Sequence, residues 1–458
     1  MTSWDEIRAE IIPELKPRED EKLQLLGFAD RLITQLNSVL KASGIDAVAE
    51  IHGSVAHGTW ISGQQDLDVF VVIEEFRGRE QLEEVLRAVR GETTWEFTEA
   101  YAEHPYLQTR INGYSIDIVP CFRLDNGELH SATDRTPLHT RWLEPRLGGL
   151  GDDVRLLKRF LMTLGIYGAE IKVGGFSGYL CELLVVYYGG FWALMEAAAK
   201  WGNRTVISFS DKPKKFNEPL TVIDPVDPSR NVASALREDA YSLFSAAASS
   251  FVKKPSMRFF RREQVDVTPE MVLESLRVRP SDILFLVIEE SNVDVPDTLW
   301  GQIHKSRQAI EQQLTVNDFN VLRSTAWSNE VNRHIFVYEL ESAVIPETVR
   351  HMGPPASLEG NVRQFIEAYR GNPRTVSGPD LLGDRWYVLV KREFTSVVNL
   401  MDSLLADGGR SIGVSRKLCV RILQHHRVLL NEEVKDYLVD GFTGYLFDWL
   451  KGRPLWIE

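Results

Sequence analysis

At 458 residues, 44% hydrophobic and 26% charged, the chain has the make-up of a folded globular protein and room for about three domains. No apolar run approaches the length of a membrane span, and residues 1–6 are polar and acidic with no signal-peptide core, so a cytoplasmic protein without a membrane partner is expected. The formal net charge of −13 argues against a phosphate-binding surface over the whole molecule, but such binding is local, so the placement of the basic residues matters more than the sum. Cys121, Cys181 and Cys419 lie too far apart for a zinc knuckle, and their odd number argues against a disulfide framework; each is expected in a core. Asn203-Arg204-Thr205 matches a glycosylation acceptor, which without secretion reads as chance.

Leu23, Leu26, Ile33, Leu36 and Leu40 recur at helical spacing and predict an amphipathic helix over 18–43. Residues 47–51 read as a short strand entering a Gly53-Ser54 turn, 66–73 as the next strand and 79–90 as a helix. Three β-rich runs follow at 94–101, 106–111 and 114–122, with Asn112-Gly113 a hairpin turn between the last two. From 135 the pattern is helical. Residues 148–151 (Gly-Gly-Leu-Gly) read as a linker, and Asp152 as the N-cap of a helix over 153–165. Helices over about 176–200 and 230–250 are divided by Pro213, Pro219, Pro225 and Pro228. After Lys253-Lys254-Pro255 the texture is mixed. Strands are expected at 283–288, 320–327, 335–340 and 386–391, helices near 297–314, 359–370 and 395–405, and closing helices at about 414–427 and 431–450. The expected class is α+β in three parts: 1–147 with a mixed sheet, a helical part at 148–255, and a mixed region at 256–458.

Chemistry concentrates early. Gly53-Ser54, a glycine before a serine at a strand end, lets backbone N–H groups and a hydroxyl approach phosphate oxygens. Side chains alternate along a strand, so Asp66 and Asp68 share a face. Phe70, Val71, Val72 and Ile73 make that strand apolar on both faces, which places it centrally, where acids need a reason. Asp117 is a third acid, inside the β-branched run Ser115–Pro120 on a strand expected beside the first. Neighbouring carboxylates repel unless a divalent cation lies between them, and Mg²⁺ suits paired carboxylates plus substrate phosphates. Two basic stretches lack acids altogether. Residues 253–262 carry Lys253, Lys254, Arg258, Arg261 and Arg262 around Phe259 and Phe260, and residues 410–427 carry Arg410, Arg416, Lys417, Arg421 and Arg427 with His425 and His426.

Gly-Ser, then Asp-x-Asp, then a later strand Asp, resembles the DNA polymerase β-like nucleotidyltransferase superfamily. The series Asp134–Thr140, Leu156-Leu157-Lys158-Arg159-Phe160, Gly165-Ile166-Tyr167-Gly168 and Asp227–Ala233 is similar, in order and spacing, to the archaeal (class I) CCA-adding enzymes. The resemblance implies a polymerase β-like catalytic domain, a helical nucleotide-recognition domain and a C-terminal tRNA-binding body and tail. It implies Asp66, Asp68 and Asp117 as ligands of two Mg²⁺ ions, and template-independent addition of C, C and A to tRNA from CTP and ATP. Ser54 would bind triphosphate oxygens, together with His57, which stands where the family often has Arg. His139, Lys158 and Tyr167 would surround the sugar and phosphates, the Tyr167 ring exposed between glycines, and Arg230, at a helix start, would read the base edge. Lys253, Lys254, Arg261, Arg262, Arg416 and Lys417 would hold the acceptor stem and T-loop region of tRNA by shape and backbone. The rival expectation is a poly(A) polymerase or oligoadenylate synthetase-like enzyme with the same metals. The sequence leaves the oligomeric state open, a homodimer included.

Overall fold

A computed structural model describes the chain except residues 1–2, 65, 102–103, 125–128, 211–213, 263–264, 290–294, 440, 455 and 458, so that Pro213 lies outside it. The backbone divides into two compact units, Met1–Gln264 with Arg453–Glu458, and Val265–Gly452.

The first unit opens with α1 (Trp4–Leu15), which the sequence reading missed. A reciprocal capping box between Ser3 and Glu6 starts it, and Ile7, Ile11 and Leu15, four apart, form its buried stripe. Helix α2 (Glu19–Ala42) follows, acidic in its first turn, with Leu25, Ala29, Leu32, Leu36 and Leu40 buried. Strand β1 (Ala47–His52), the single turn α3 (Gly53–Ala56), β2 (Asp66–Ile73), α4 (Glu80–Glu92), β3 (Phe97–Tyr101), β4 (Pro105–Ile111) and β5 (Tyr114–Phe122) come next. They build a sheet of order β1-β2-β5-β4-β3, parallel only between β2 and β5. Strand β2 is therefore flanked on both sides, as its apolar character predicts.

Helices α5 (Arg135–Leu143), α6 (Gly151–Leu164), α7 (Gly178–Tyr188) and α8 (Phe191–Ala198), the short parallel pair β6 (Thr205–Ile207) and β7 (Leu220–Val222), and α9 (Glu238–Lys253) complete this unit around one aromatic-rich core. Three expectations are corrected here. Asp152 does not cap α6; Leu150 holds the cap position, and Asp152 sits in the first turn, accepting from Arg155 at 2.7 Å. The 176–200 helix is two helices bent by 92°, because Gly189 and Gly190 adopt positive φ and end α7. The 230–250 helix begins only at Glu238, and Arg230 lies in a turn whose backbone N–H donates to the Asp227 carbonyl.

The second unit contains α10 (Pro269–Arg277), β8 (Asp282–Glu289), α11 (Pro296–Val316), β9 (Val321–Ser328), β10 (Arg333–Leu340), β11 (Thr348–Pro355), α12 (Glu359–Tyr369), β12 (Thr375–Leu382), β13 (Arg385–Lys391), α13 (Val397–Leu405), α14 (Arg416–Gln424), β14 (His426–Leu430) and α15 (Phe442–Lys451). A four-stranded sheet, β14-β8-β10-β9, buries an apolar layer on each face; β11-β13-β12 form a second sheet. Strands β11 and β12 were missed because Gly353-Pro354-Pro355 and Gly378-Pro379 read as loop, yet both strands are edges, where proline is tolerated. The closing helices are also corrected. Residues 426–430 pair with β8 as a strand, and 431–437 is a 3₁₀ segment before α15. All three cysteines are buried and free, as expected. Among the described residues no single helix is long and apolar enough to cross a membrane.

Candidate active site

The parallel register of β2 and β5 sets Asp68 directly opposite Asp117 and Asp66 opposite Ser115. Asp66 is exposed, while Asp68 and Asp117 are half-buried. Gln108 on β4, opposite Asp117, donates to its Oδ1 at 3.0 Å. Burial, then repulsion from Asp117 and Asp66, pushes the Asp68 carboxyl up to about 6. Burial likewise raises Asp117. No three His, Cys, Asp or Glu side chains among the described residues are already drawn into a metal-ligating cluster. The donor set nevertheless fits a hard divalent cation: it is all oxygen, it lies on two adjacent strands, and its mutual repulsion is what a cation relieves.

The turn above these acids is built to approach them. Gly53 has φ +64°, and a Cβ there would lie 2.0 Å from Asp68 Oδ2. Ser54 is half-buried in the α3 turn. His57 does not project freely into the site. Its Nδ1 donates to Glu182 Oε2 at 2.9 Å, and its Nε2 lies 3.1 Å from Thr140 Oγ1, which also contacts His52 Nδ1 at 2.9 Å. Glu182, on α7, accepts from Thr59 Oγ1 at 2.5 Å as well. Burial pushes this carboxyl up, and the hydrogen bond and charge of His57 together with the Lys158 charge more than offset that, leaving it below its ordinary value.

Helix α6 grips the same loop from the other side. Lys158 Nζ donates to the Thr59 carbonyl at 3.1 Å, and Arg155, three residues earlier, donates to the carbonyls of Trp60 and Gly58 at 2.7 and 2.5 Å. Lys158 is almost wholly buried, and that burial lowers its ammonium below the usual value, the carboxylates of Glu182 and Asp68 opposing. The Tyr167 hydroxyl and Lys158 Nζ both border Gly178, so these two residues lie near one another, and the Tyr167 ring is half-buried where an exposed one was expected.

A second cluster surrounds Asp224. Its Oδ2 accepts from His139 Nε2 and from Arg230 Nη1, each at 2.9 Å, and its Oδ1 accepts from the Val226 N–H at 3.0 Å and the Tyr179 hydroxyl at 3.4 Å. The His139 ring stacks on Tyr179 with centroids 4.0 Å apart. Burial favours a protonated Asp224, but His139, the Val226 N–H and Arg230 overcome it and hold the carboxyl low. Arg135 and Asp227 pair beside it at 2.8 Å. Sequence reading missed Glu182 and Asp224. Each is one acid within an unremarkable run, and only the fold shows what it faces.

The two basic stretches differ. Phe259 and Phe260 are core residues, so neither offers a ring to a base, and Arg261 pairs with Glu10 and Glu14 on α1. Lys253 and Lys254 are exposed at the end of α9, and Arg262 Nε donates to the Thr163 carbonyl at 3.1 Å. Arg416 and Lys417 are exposed at the start of α14.

Comparison with known proteins extends this picture over the whole chain. The nucleotidyltransferase-domain family profile matches residues 32–139, that of the tRNA nucleotidyltransferase second domain 152–261, and that of the CCA-adding enzyme C-terminal domain 280–430. The CCA-adding enzyme of Pyrobaculum islandicum is 35% identical over 91% of this chain and 97% of its own length. Those of Methanoregula boonei and Methanosarcina mazei are 38% and 31% identical, over 85% and 97% of this chain and 84% and 98% of their own lengths. Because the likeness runs on past the acids of β2 and β5 through every part of the molecule, the chain belongs to the CCA-adding enzymes, the tRNA nucleotidyltransferases that add C, C and A to the 3′ end of tRNA.

Proposed function

We propose that the 3′-hydroxyl of tRNA attacks the α-phosphate of CTP, and then of ATP, in line at the β2–β5 acids, releasing pyrophosphate with no nucleic-acid template. The observation that carries this reading is Asp68 facing Asp117 in register, both carboxyls raised by burial. Nucleotidyl transfer in this family depends on a divalent cation. The finer reading is two Mg²⁺ ions held by Asp66, Asp68 and Asp117, which supply positive charge to the attacking hydroxyl and the leaving pyrophosphate. Asp117 assists deprotonation of that hydroxyl. Ser54 offers its hydroxyl to the triphosphate, and the buried Lys158 ammonium fixes the Thr59 carbonyl beneath it. His57 acts through the loop, tied as it is to Glu182 and Thr140, in place of a direct phosphate contact. Tyr167 and His139 bound the sugar, and Arg230 reads the base. Arg416 and Lys417, with Lys253 and Lys254, contact tRNA phosphates. A tRNA substrate fits a cytoplasmic location, and every group in this reading comes from one chain, so no homodimer is needed for it.

The test offers tRNA lacking its tail to the enzyme with CTP and ATP, separately and together. Two C residues and then one A are expected. Asp68→Ala and Asp117→Ala should each abolish addition while tRNA binding stays within about twofold. Near-normal turnover by the double variant would overturn the metal assignment, and long A tails would point to a poly(A) polymerase.

A further inference from the structure

We propose that Asp224 is the positioning residue for base selection: its buried carboxylate fixes the Arg230 guanidinium in the one orientation that distinguishes CTP and ATP from UTP and GTP. The inference rests on Arg230 reading the base edge. A guanidinium carries five N–H donors and no acceptor. C at N3 and A at N1 present a lone pair beside an exocyclic amine. U at N3 and G at N1 present an N–H instead. A fixed donor edge therefore meets an acceptor on C or A and another donor on U or G, and an unpaired polar group in a closed site is costly. A guanidinium free to rotate would turn to whichever acceptor was nearest, the O4 of U or the O6 of G included, and would lose that distinction.

The geometry ties Asp224 to Arg230 and, on the same oxygen, to His139. The Asp224 side chain is fully buried, and among the described residues its partners are four donors from within the same unit: His139 and Arg230 on one oxygen, the Val226 N–H and Tyr179 on the other. A carboxylate so occupied cannot swivel. Arg230 by contrast leaves 39% of its side chain exposed, with Nη1 anchored on Asp224. The backbone of the Arg230 turn is secured independently. Asp227 accepts from the backbone N–H groups of Arg230 and Ser229, Arg135 braces Asp227, and Asn231 bridges to Ile223. Removing the Asp224 charge therefore releases the guanidinium more than the turn that carries it.

The experiment measures kcat/KM for CTP and for UTP on tRNA lacking its tail, with the wild type, Asp224→Asn, Arg230→Ala and the double variant. The CTP-over-UTP ratio is the readout, because any loss of folded enzyme cancels between the two nucleotides. We expect Asp224→Asn to lower the ratio at least about tenfold, Arg230→Ala to lower it comparably, and the double variant to be no worse than Arg230→Ala alone, since both changes remove one device. An Asp224→Asn enzyme that loses activity equally with both nucleotides, while Arg230→Ala loses selectivity, would overturn the role of Asp224 and leave the reading of Arg230 standing. An Arg230→Ala enzyme with undiminished selectivity would overturn both.

Discussion

The Gly53 backbone runs so close to Asp68 that a methyl group on Gly53 would lie 2.0 Å from Asp68 Oδ2. No side chain fits there, and the positive φ of +64° disfavours one in any case, by about 1–2 kcal/mol. The glycine after β1 thus admits the turn to within contact of Asp68, the proposed metal ligand. Gly53→Ala should fold, because the clash falls on a single half-buried carboxylate, but Asp68 must swing away from Gly53. We expect kcat to fall about a hundredfold or more, the scale of a displacement of about 1 Å among reacting groups, with tRNA affinity unchanged. Single-turnover addition with a filter-binding control checks it; unimpaired turnover would show that Asp68 tolerates the shift.

The contact of His57 with Glu182 leads to a second expectation. Glu182 is buried with His57 and Thr59 on its oxygens and the Lys158 charge nearby, so Glu182→Ala leaves buried donors without their acceptor. Such losses cost about 3–5 kcal/mol. Glu182→Gln keeps an acceptor oxygen and should cost less. On the proposed reading the 57–59 loop lies beside the triphosphate common to both nucleotides, so residual Glu182→Gln enzyme should show raised KM for CTP and ATP by the same factor. Thermal unfolding and the two KM values separate this from the selective defect expected at Asp224.

The three acids of β2 and β5 were legible because they broke a rule. Carboxylates in an apolar, central strand are costly, and β2 carries two beside a third on β5. The strands themselves were legible from β-branched runs and the Asn112-Gly113 turn. What stayed hidden depended on contacts between distant segments. His57 and Glu182 are 125 residues apart and His139 and Asp224 are 85 apart, and no local pattern marks either acid. The 259–260 aromatics misled for a related reason: basic neighbours suggested a nucleic-acid face, but burial against Phe160 and Phe251 decides where those rings go. The edge strands β11 and β12 were lost to their prolines, which only the sheet order makes permissible.

The raised Asp68 pKa carries a pH dependence whose sign can be worked out. Its carboxyl titrates at about 6 in the folded protein and at 3.8 ordinarily, so the native state holds this proton more tightly than the unfolded state does. Between those values the native state binds more protons, and stability falls as pH rises, the loss being complete above about 6. In cation-free buffer Asp68→Asn should diminish that fall, leaving the part due to the likewise raised Asp117, and the difference between the wild-type and variant melting curves across pH isolates the Asp68 share from Glu182 and Asp224. Adding Mg²⁺ at pH 7.5 should raise the wild-type melting temperature and leave Asp68→Asn nearly unmoved. Equal stabilisation of both proteins would place the cation elsewhere.

Arg416 and Lys417 sit exposed at the N-terminal end of α14, where the helix dipole disfavours positive charge. Arg261 is accounted for, since Glu10 and Glu14 neutralise it within its own unit. Each phosphate contact adds about 0.7–0.9 to the slope of log K against log salt. The Arg416→Ala/Lys417→Ala variant should therefore bind tRNA more weakly and show a slope shallower by about 1.5. Arg261→Ala should leave the slope near wild type, because a guanidinium paired to two carboxylates makes no phosphate contact to lose, while the uncompensated Glu10 and Glu14 weaken binding only through screened repulsion. Binding measured from 50 to 300 mM salt, a range about sixfold wide, resolves a slope change of that size. If Arg261→Ala flattens the slope and the α14 variant does not, the tRNA backbone lies against the first unit at α1, and the contacts assigned to α14 are wrong.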